Sequence, residues 1–188
     1  MNRMARIKLN SLYYALCTKD DAAGVTYGTP VHIPGLITAS VKPDSKSATL
    51  YADDAPAETA TSLGEITVEF EAKEIPLVDQ AALLGHTVAK GVLTAKGSDS
   101  APYVCIMFKS EKASGATRYV KLLKGKFGVP EESYETEKDS PAFQTDKISG
   151  KFVARTYDSE WKRTADSDSE GFEATTGTNW FTTVEPTA

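Results

Sequence analysis

The stretch EITVEFEAK, Glu65–Lys73, decides the fold. Ile66, Val68, Phe70 and Ala72 alternate with Glu65, Thr67, Glu69, Glu71 and Lys73. A period of two gives one apolar and one polar face only in an extended chain, so the segment predicts a half-buried strand. Its polar face carries three glutamates, Glu65, Glu69 and Glu71.

Just downstream, Pro76 suits the first turn of a helix, Leu77, Ala81 and Leu84 recur at i, i+4 and i+7, and Gly85 suits the left-handed close. A helix over about 76–84 follows, too short to persist without a sheet to pack on. Upstream, residues 43–63 (PDSKSATLYADDAPAETATSL) hold only Leu50, Tyr51 and Leu63 as large apolar side chains. That is too little to offset ordering entropy, so the segment predicts a long mobile loop, of a length that compact domains keep for a purpose. VHIPGLITASV, Val31–Val41, reads as a strand broken at Pro34-Gly35.

Tyr103–Phe108 (YVCIMF) is apolar at every position, as in a central strand covered on both faces. SEKASGAT supplies a turn, Arg118–Phe127 returns as a hairpin partner, and a last strand is expected over Phe143–Tyr157 with a bend at Gly150. Glu131–Asp139, five acids in nine residues, reads as a solvated connection. Beyond Asp158 large apolar residues thin out, and residues 158–188 are expected to be loosely ordered. The sum is one domain of class α+β, mainly β: two packed antiparallel sheets in a sandwich or partial barrel, with one short helix.

Composition agrees. A chain of 188 residues can bury a sufficient core without staples. Cys17 and Cys105 lack metal-ligand or redox spacing. The net charge of −5 argues against a general nucleic-acid binder. No stretch reaches the length of a membrane helix, and no membrane anchor is expected. Arg3, Arg6 and Lys8 before Leu12–Cys17 read as an N-terminal strand rather than a leader, the apolar run being too short.

Signals for chemistry are weak. His32 and His86 have no second ligand at metal spacing. No nucleophile elbow, phosphate loop or dinucleotide fingerprint occurs. Asp166-Ser-Asp168-Ser-Glu170-Gly171 opens like a calcium loop but places Gly177 where the bidentate carboxylate belongs, so it reads as an acidic turn. No enzyme, metal or cofactor is expected. Lys109, Lys112, Arg118, Lys121, Lys124 and Lys126 make the hairpin basic. They are either a solvated surface or a basic edge that meets an acidic edge on the next copy.

Several segments resemble the major tail proteins, or tail tube proteins, of long-tailed non-contractile bacteriophages. They are MARIKLNSLYYAL from Met4, residues 26–70 with the motifs YADD and ETATSLGE, the helix IPLVDQAALLGH, and residues 118–155 with KGKF and FQTDKISGKF. The resemblance implies the tail-tube fold, six copies closing into a ring, and rings stacking into a hollow tube in the virion tail, assembled in the host cytoplasm. Tape measure, tail terminator and distal tail or baseplate proteins are the implied partners, with DNA passing through the lumen without sequence-specific binding.

On that reading residues 43–63 become an assembly loop that orders on a neighbour, with Pro43, Asp44, Leu50, Tyr51, Asp53, Asp54, Glu58 and Leu63 as its candidate contacts. Glu65, Glu69 and Glu71 are expected either to face the lumen, or to face outward or mate with the basic hairpin. Six copies at −5 each bring −30 to a ring, which opposes adhesion of DNA. The second reading is a β-rich binding module or virion decoration protein that takes carbohydrate on Trp161 or Trp180.

Overall fold

The computed structural model describes residues 5–52, 55–136 and 144–185, with side chains omitted at 50–52 and 55–57. The candidate contacts Asp53 and Asp54, the side chains of Leu50 and Tyr51, residues 137–139 of the acidic connection and Phe143 lie outside the described residues.

Mainly β structure is what forms. The strands are β1 (Arg6–Asp21), β2 (Gly24–Tyr27), β3 (Val31–Ile33), β4 (Leu36–Ala52), β5 (Ala55–Ala72), β6 (Thr87–Ala89), β7 (Val92–Thr94), β8 (Val104–Lys112), β9 (Thr117–Phe127), β10 (Asp146–Phe152) and β11 (Lys162–Asp166). Two helices, α1 (Leu77–Leu84) and α2 (Ala174–Asn179), complete the described elements.

Nine strands join one antiparallel sheet in the order β2-β1-β8-β9-β10-β5-β4, with β3 added to β1 and β11 to β9, while β6 and β7 pair separately. The expected pair of packed sheets is therefore one curled sheet. Its last strand, β4, comes back against β1, and the barrel stays open.

Period-two alternation sorts this sheet into two faces. Inside the curl lie Leu12 and Tyr14 of β1, Ile66, Val68 and Phe70 of β5, Val104, Ile106 and Phe108 of β8, Val120 and Leu122 of β9, and Phe152 of β10. Burying each large side chain contributes roughly 1.5–3 kcal/mol, so this is the dominant stabilising block. The strand Glu65–Lys73 behaves as its pattern demands: Ile66 and Val68 are fully buried and Glu69 is exposed.

Helix α1 closes the mouth of the curl. Gly85 ends it at φ 76°, donating its N–H to the Ala81 carbonyl. The buried face is Asp79, Ala81, Leu83 and Leu84, whereas Leu77, expected inside, stays exposed. What rotates the helix is Asp79, whose carboxylate accepts a hydrogen bond from the Tyr14 hydroxyl at 2.9 Å. Burial first, and then that carboxylate, raise the Tyr14 pKa above its ordinary value.

The outer face of the central strands forms a second, smaller core of Ala15, Cys105, Met107, Leu123 and Val184. This explains why YVCIMF is apolar throughout: Val104, Ile106 and Phe108 point into the curl, and Cys105 and Met107 point out of it. The cover on this second face is the C-terminal segment. Residues 158–185, expected to be loosely ordered, instead contribute β11, α2 and the buried Trp180 and Val184.

Candidate assembly surface

The largest departure from expectation lies at residues 43–63. In place of an unpaired loop, β4 and β5 continue as a two-stranded antiparallel ribbon, with Ser45 opposite Leu63, Ser47 opposite Thr61 and Thr49 opposite Thr59. Small and β-branched residues (Ser, Thr, Ala) satisfy each other's backbone groups across the ladder, a route to order that needs no large apolar side chains. Composition shows their scarcity but is blind to pairing.

Strand β10 pairs β5 only over Ile66–Ala72, so the ribbon runs beyond the sheet with no third strand among the described residues. At about 3.3 Å per residue, Ser45–Ala52 projects roughly 26 Å. The described side chains on both of its faces, at 42–49 and 58–63, are exposed, Asp44, Glu58 and Leu63 among them. A bare two-stranded ribbon of this kind is marginally stable in water, and both its edges offer unpaired backbone groups.

Next to its base lies the polar face of β5. Glu65 pairs with Lys151 at 2.9 Å, Glu69 with Lys42 at 2.7 Å and Glu71 with Lys147 at 3.9 Å. Glu71 also accepts a hydrogen bond from Thr145 Oγ1 at 2.6 Å. The three glutamates are thus matched by three lysines from the flanking strands β4 and β10, and the face is charge-neutral locally. No period-two reading of one strand could foresee partners delivered by 27 to 86 positions of chain separation.

The basic hairpin is not an edge of this sheet. Strands β8 and β9 sit mid-sheet, and Lys112, Arg118, Lys121, Lys124 and Lys126 are engaged within the chain. Lys112 and Arg118 hold Asp166 at 3.1 and 2.5 Å, and Lys112 reaches Asp168 at 2.6 Å. The acidic turn that opens like a calcium loop is the hairpin's counter-ion. Lys124 pairs at 2.5 Å with Asp20, whose side chain is enclosed, and lies over the Tyr103 ring, with Lys126 on the same ring. Lys109 is half-buried between Asn10 and Tyr119.

Lys121, 5% exposed, donates to the carbonyls of Thr183 and Val184 at 2.7 and 3.0 Å and sits 4.7 Å from the centre of the Trp180 ring. Burial pushes its ammonium down to about 8.

Two carboxylates set an acid limit on stability. Burial pushes the Asp20 carboxyl up, but Lys124 and the backbone N–H groups of Thr156 and Tyr157 outweigh it and hold the pKa at about 2. Hydrogen bonds from Arg118 and then Lys112, against some burial, place Asp166 at about 2 as well. Both values lie below the unfolded one, so the stabilisation is complete above about pH 4 and is lost as pH falls through 2. We expect each to contribute on the order of 2 kcal/mol. Urea midpoints measured from pH 6 to pH 2 should drop steeply in the wild type and less in Asp20→Asn and Asp166→Asn; equal slopes would refute the assignment.

The remaining sequence candidates are dispersed. His86 Nδ1 lies 2.9 Å from Asp99 Oδ2, so its ring engages this carboxylate. His32 packs its ring at 4.7 Å from that of Tyr13, and Cys105 is buried, its thiol pushed up to about 12 by burial. Trp180 is buried, so its ring is closed to a sugar, and Trp161 is partly buried against the main core with Lys162 Nζ 5.6 Å from its ring centre. Comparison with protein-family models finds no match for the chain, and comparison with curated proteins finds none either.

Proposed function

We propose that this protein is a structural subunit that assembles with copies of itself, and that the assembly is a phage tail tube: hexameric rings, stacked, with DNA passing along the lumen. The observation that carries the reading is the β4–β5 ribbon. Some 26 Å of paired backbone on which every described side chain is exposed is a poor element for a monomer. It is a good one for a subunit, because a neighbour supplies the missing surface and pairs the open edges. The sequence resemblance gives the particular assembly; the ribbon supports self-association in general.

The mid-sheet place of the hairpin changes which groups make the contacts. In this reading the edges β4, β2, β3 and β11 and the ribbon do the joining, and the cations of β8 and β9 brace the subunit internally. Ring closure is a head-to-tail contact that uses two different patches on each copy.

Sedimentation over a concentration series, with negative-stain microscopy of the heaviest species, tests this. We expect rings or tubes with an axial channel. A protein that remains a monomer at the highest concentrations would overturn the reading.

A further inference from the structure

The C-terminal segment Phe172–Glu185 is attached to the sheet in an unusual way. Among the described residues its backbone-to-backbone hydrogen bonds are local, such as Thr176 to Glu173, Trp180 to Gly177 and Thr182 to Asn179. None joins a strand, although β11, just before it, is laddered to β9. Helix α2 has six residues, none buried, and no side-chain cap. Such a helix cannot hold itself in water.

What fixes the segment is a small set of side chains. Trp180 donates its indole N–H to the Val120 carbonyl at 3.4 Å, and Phe181 stacks on Tyr13 with ring centres 4.7 Å apart. Val184 enters the second core beside Cys105 and Met107. Lys121 clasps the carbonyls of Thr183 and Val184. Glu185 is gripped by Arg155, whose side chain is fully buried, and by Arg163 at 3.0 Å. On the other side Arg155 is held by Asp158 and Glu160 and by the Tyr27 hydroxyl, so the sheet retains a satisfied guanidinium when Glu185 leaves.

The two cores therefore differ in what protects them. Breaking into the inner core requires separating strands, whereas lifting this segment removes Phe181 and Val184 from the outer face of β1, β8 and β9 with no ladder lost, and leaves Tyr27, whose hydroxyl donates to the Leu123 carbonyl at 2.9 Å, as the part of the cover that stays on the sheet. Ser167 and Asp168 are still tied to Thr117 and Lys112, so the exposed residues Ser169–Gly171 provide the hinge, and Gly171 already sits at φ 77°. Units joined by few contacts open at lower free energy than the whole.

We propose that Phe172–Glu185 is a strap that opens as one unit while the nine-stranded sheet stays folded, making the outer face of β1, β8 and β9 a gated apolar surface. Cys105, fully buried beneath it, is the built-in reporter.

The test uses full-length protein with Cys17→Ser, so that Cys105 is the single thiol, and follows its labelling by an aromatic disulfide reagent in native buffer and low urea. Labelling should proceed with little dependence on urea, because a strap exposes far less surface than the whole chain. Val184→Ala, which weakens only the strap, should speed it roughly tenfold.

Ile66→Val in the inner core is the deciding variant. It lowers global stability, measured separately by urea unfolding, and should leave the labelling rate unchanged, since the closed and strap-open forms share that core. If Ile66→Val accelerates labelling in proportion to its lost stability, and the urea dependence matches that of global unfolding, Cys105 is reached only by unfolding and the proposal fails.

Discussion

Replacing the ribbon should abolish assembly and leave the fold intact. Ser45 and Leu63 face each other across the ladder, so residues 46–62 can be exchanged for Asn-Gly, the two-residue turn whose twist suits a hairpin. The remainder of β4 keeps its pairing with β5 from Pro43–Ile66 to Leu36–Ala72, and the inner core is untouched. Circular dichroism and the urea midpoint should stay within about 0.5 kcal/mol of wild type, the usual range for changes away from packed or strained features. In the same preparation rings and tubes should disappear from micrographs and the sedimentation profile should reduce to one slow species. Tubes that persist without the ribbon would remove the observation on which the proposed function rests.

The largest effect on stability is expected from one methyl group. A Cβ at Gly125 would lie 2.3 Å from Cγ of Phe152 and 2.4 and 2.5 Å from its two Cδ atoms, inside the ring's contact surface. Phe152 is fully buried, stands opposite Gly125 in the β9–β10 ladder and packs edge-on against Phe127 with ring centres 5.8 Å apart. The ring cannot retreat without displacing Phe127, which itself meets Phe70. Overpacking a constrained core costs typically 1–3 kcal/mol, and with ladder bonds on both sides Gly125→Ala should cost about 3 kcal/mol or more.

A smaller side chain opposite should recover part of this, so Gly125→Ala with Phe152→Leu should be less destabilised than the two single variants added together. Gly97→Ala, where nothing lies within 4 Å of the new atom, is the control and should stay within about 0.5 kcal/mol. A Gly125→Ala protein as stable as that control would show that the two strands are not locked in this register.

How much of this could be read from the sequence depended on how far apart the partners are. The alternation Ile66, Val68, Phe70 is a property of adjacent residues, and it placed the Glu65–Ala72 part of β5 and its faces correctly. The helix at 76–84 and its Gly85 close are likewise local, and only the face was misjudged, because Asp79 finds a hydrogen-bond donor 65 positions away in Tyr14. The apolar run Tyr103–Phe108 announced a two-faced strand, but nothing local said that residues near 180 supply the second cover.

The same limit governs the charged residues. Lys112 and Arg118 read as a basic surface until β11 brings Asp166 beside them, and Glu65, Glu69 and Glu71 read as an acidic face until Lys42, Lys147 and Lys151 arrive from both sides. Lys121 gave one usable sign. A single lysine inside Tyr119-Val120-Lys121-Leu122-Leu123 has no solvated side to occupy, so it had to find carbonyls or an aromatic ring within the fold.

The alternation of sign across β10, β5 and β4 bears on passive transport. If this patch forms part of a channel wall, a polyanion gliding past meets plus and minus spots a few ångströms apart, whose fields cancel well within the roughly 8 Å over which physiological salt would screen them anyway. Such a lining is electrically smooth: it has neither wells to snag the cargo nor ridges to turn it back, and friction stays low whatever base sequence goes by.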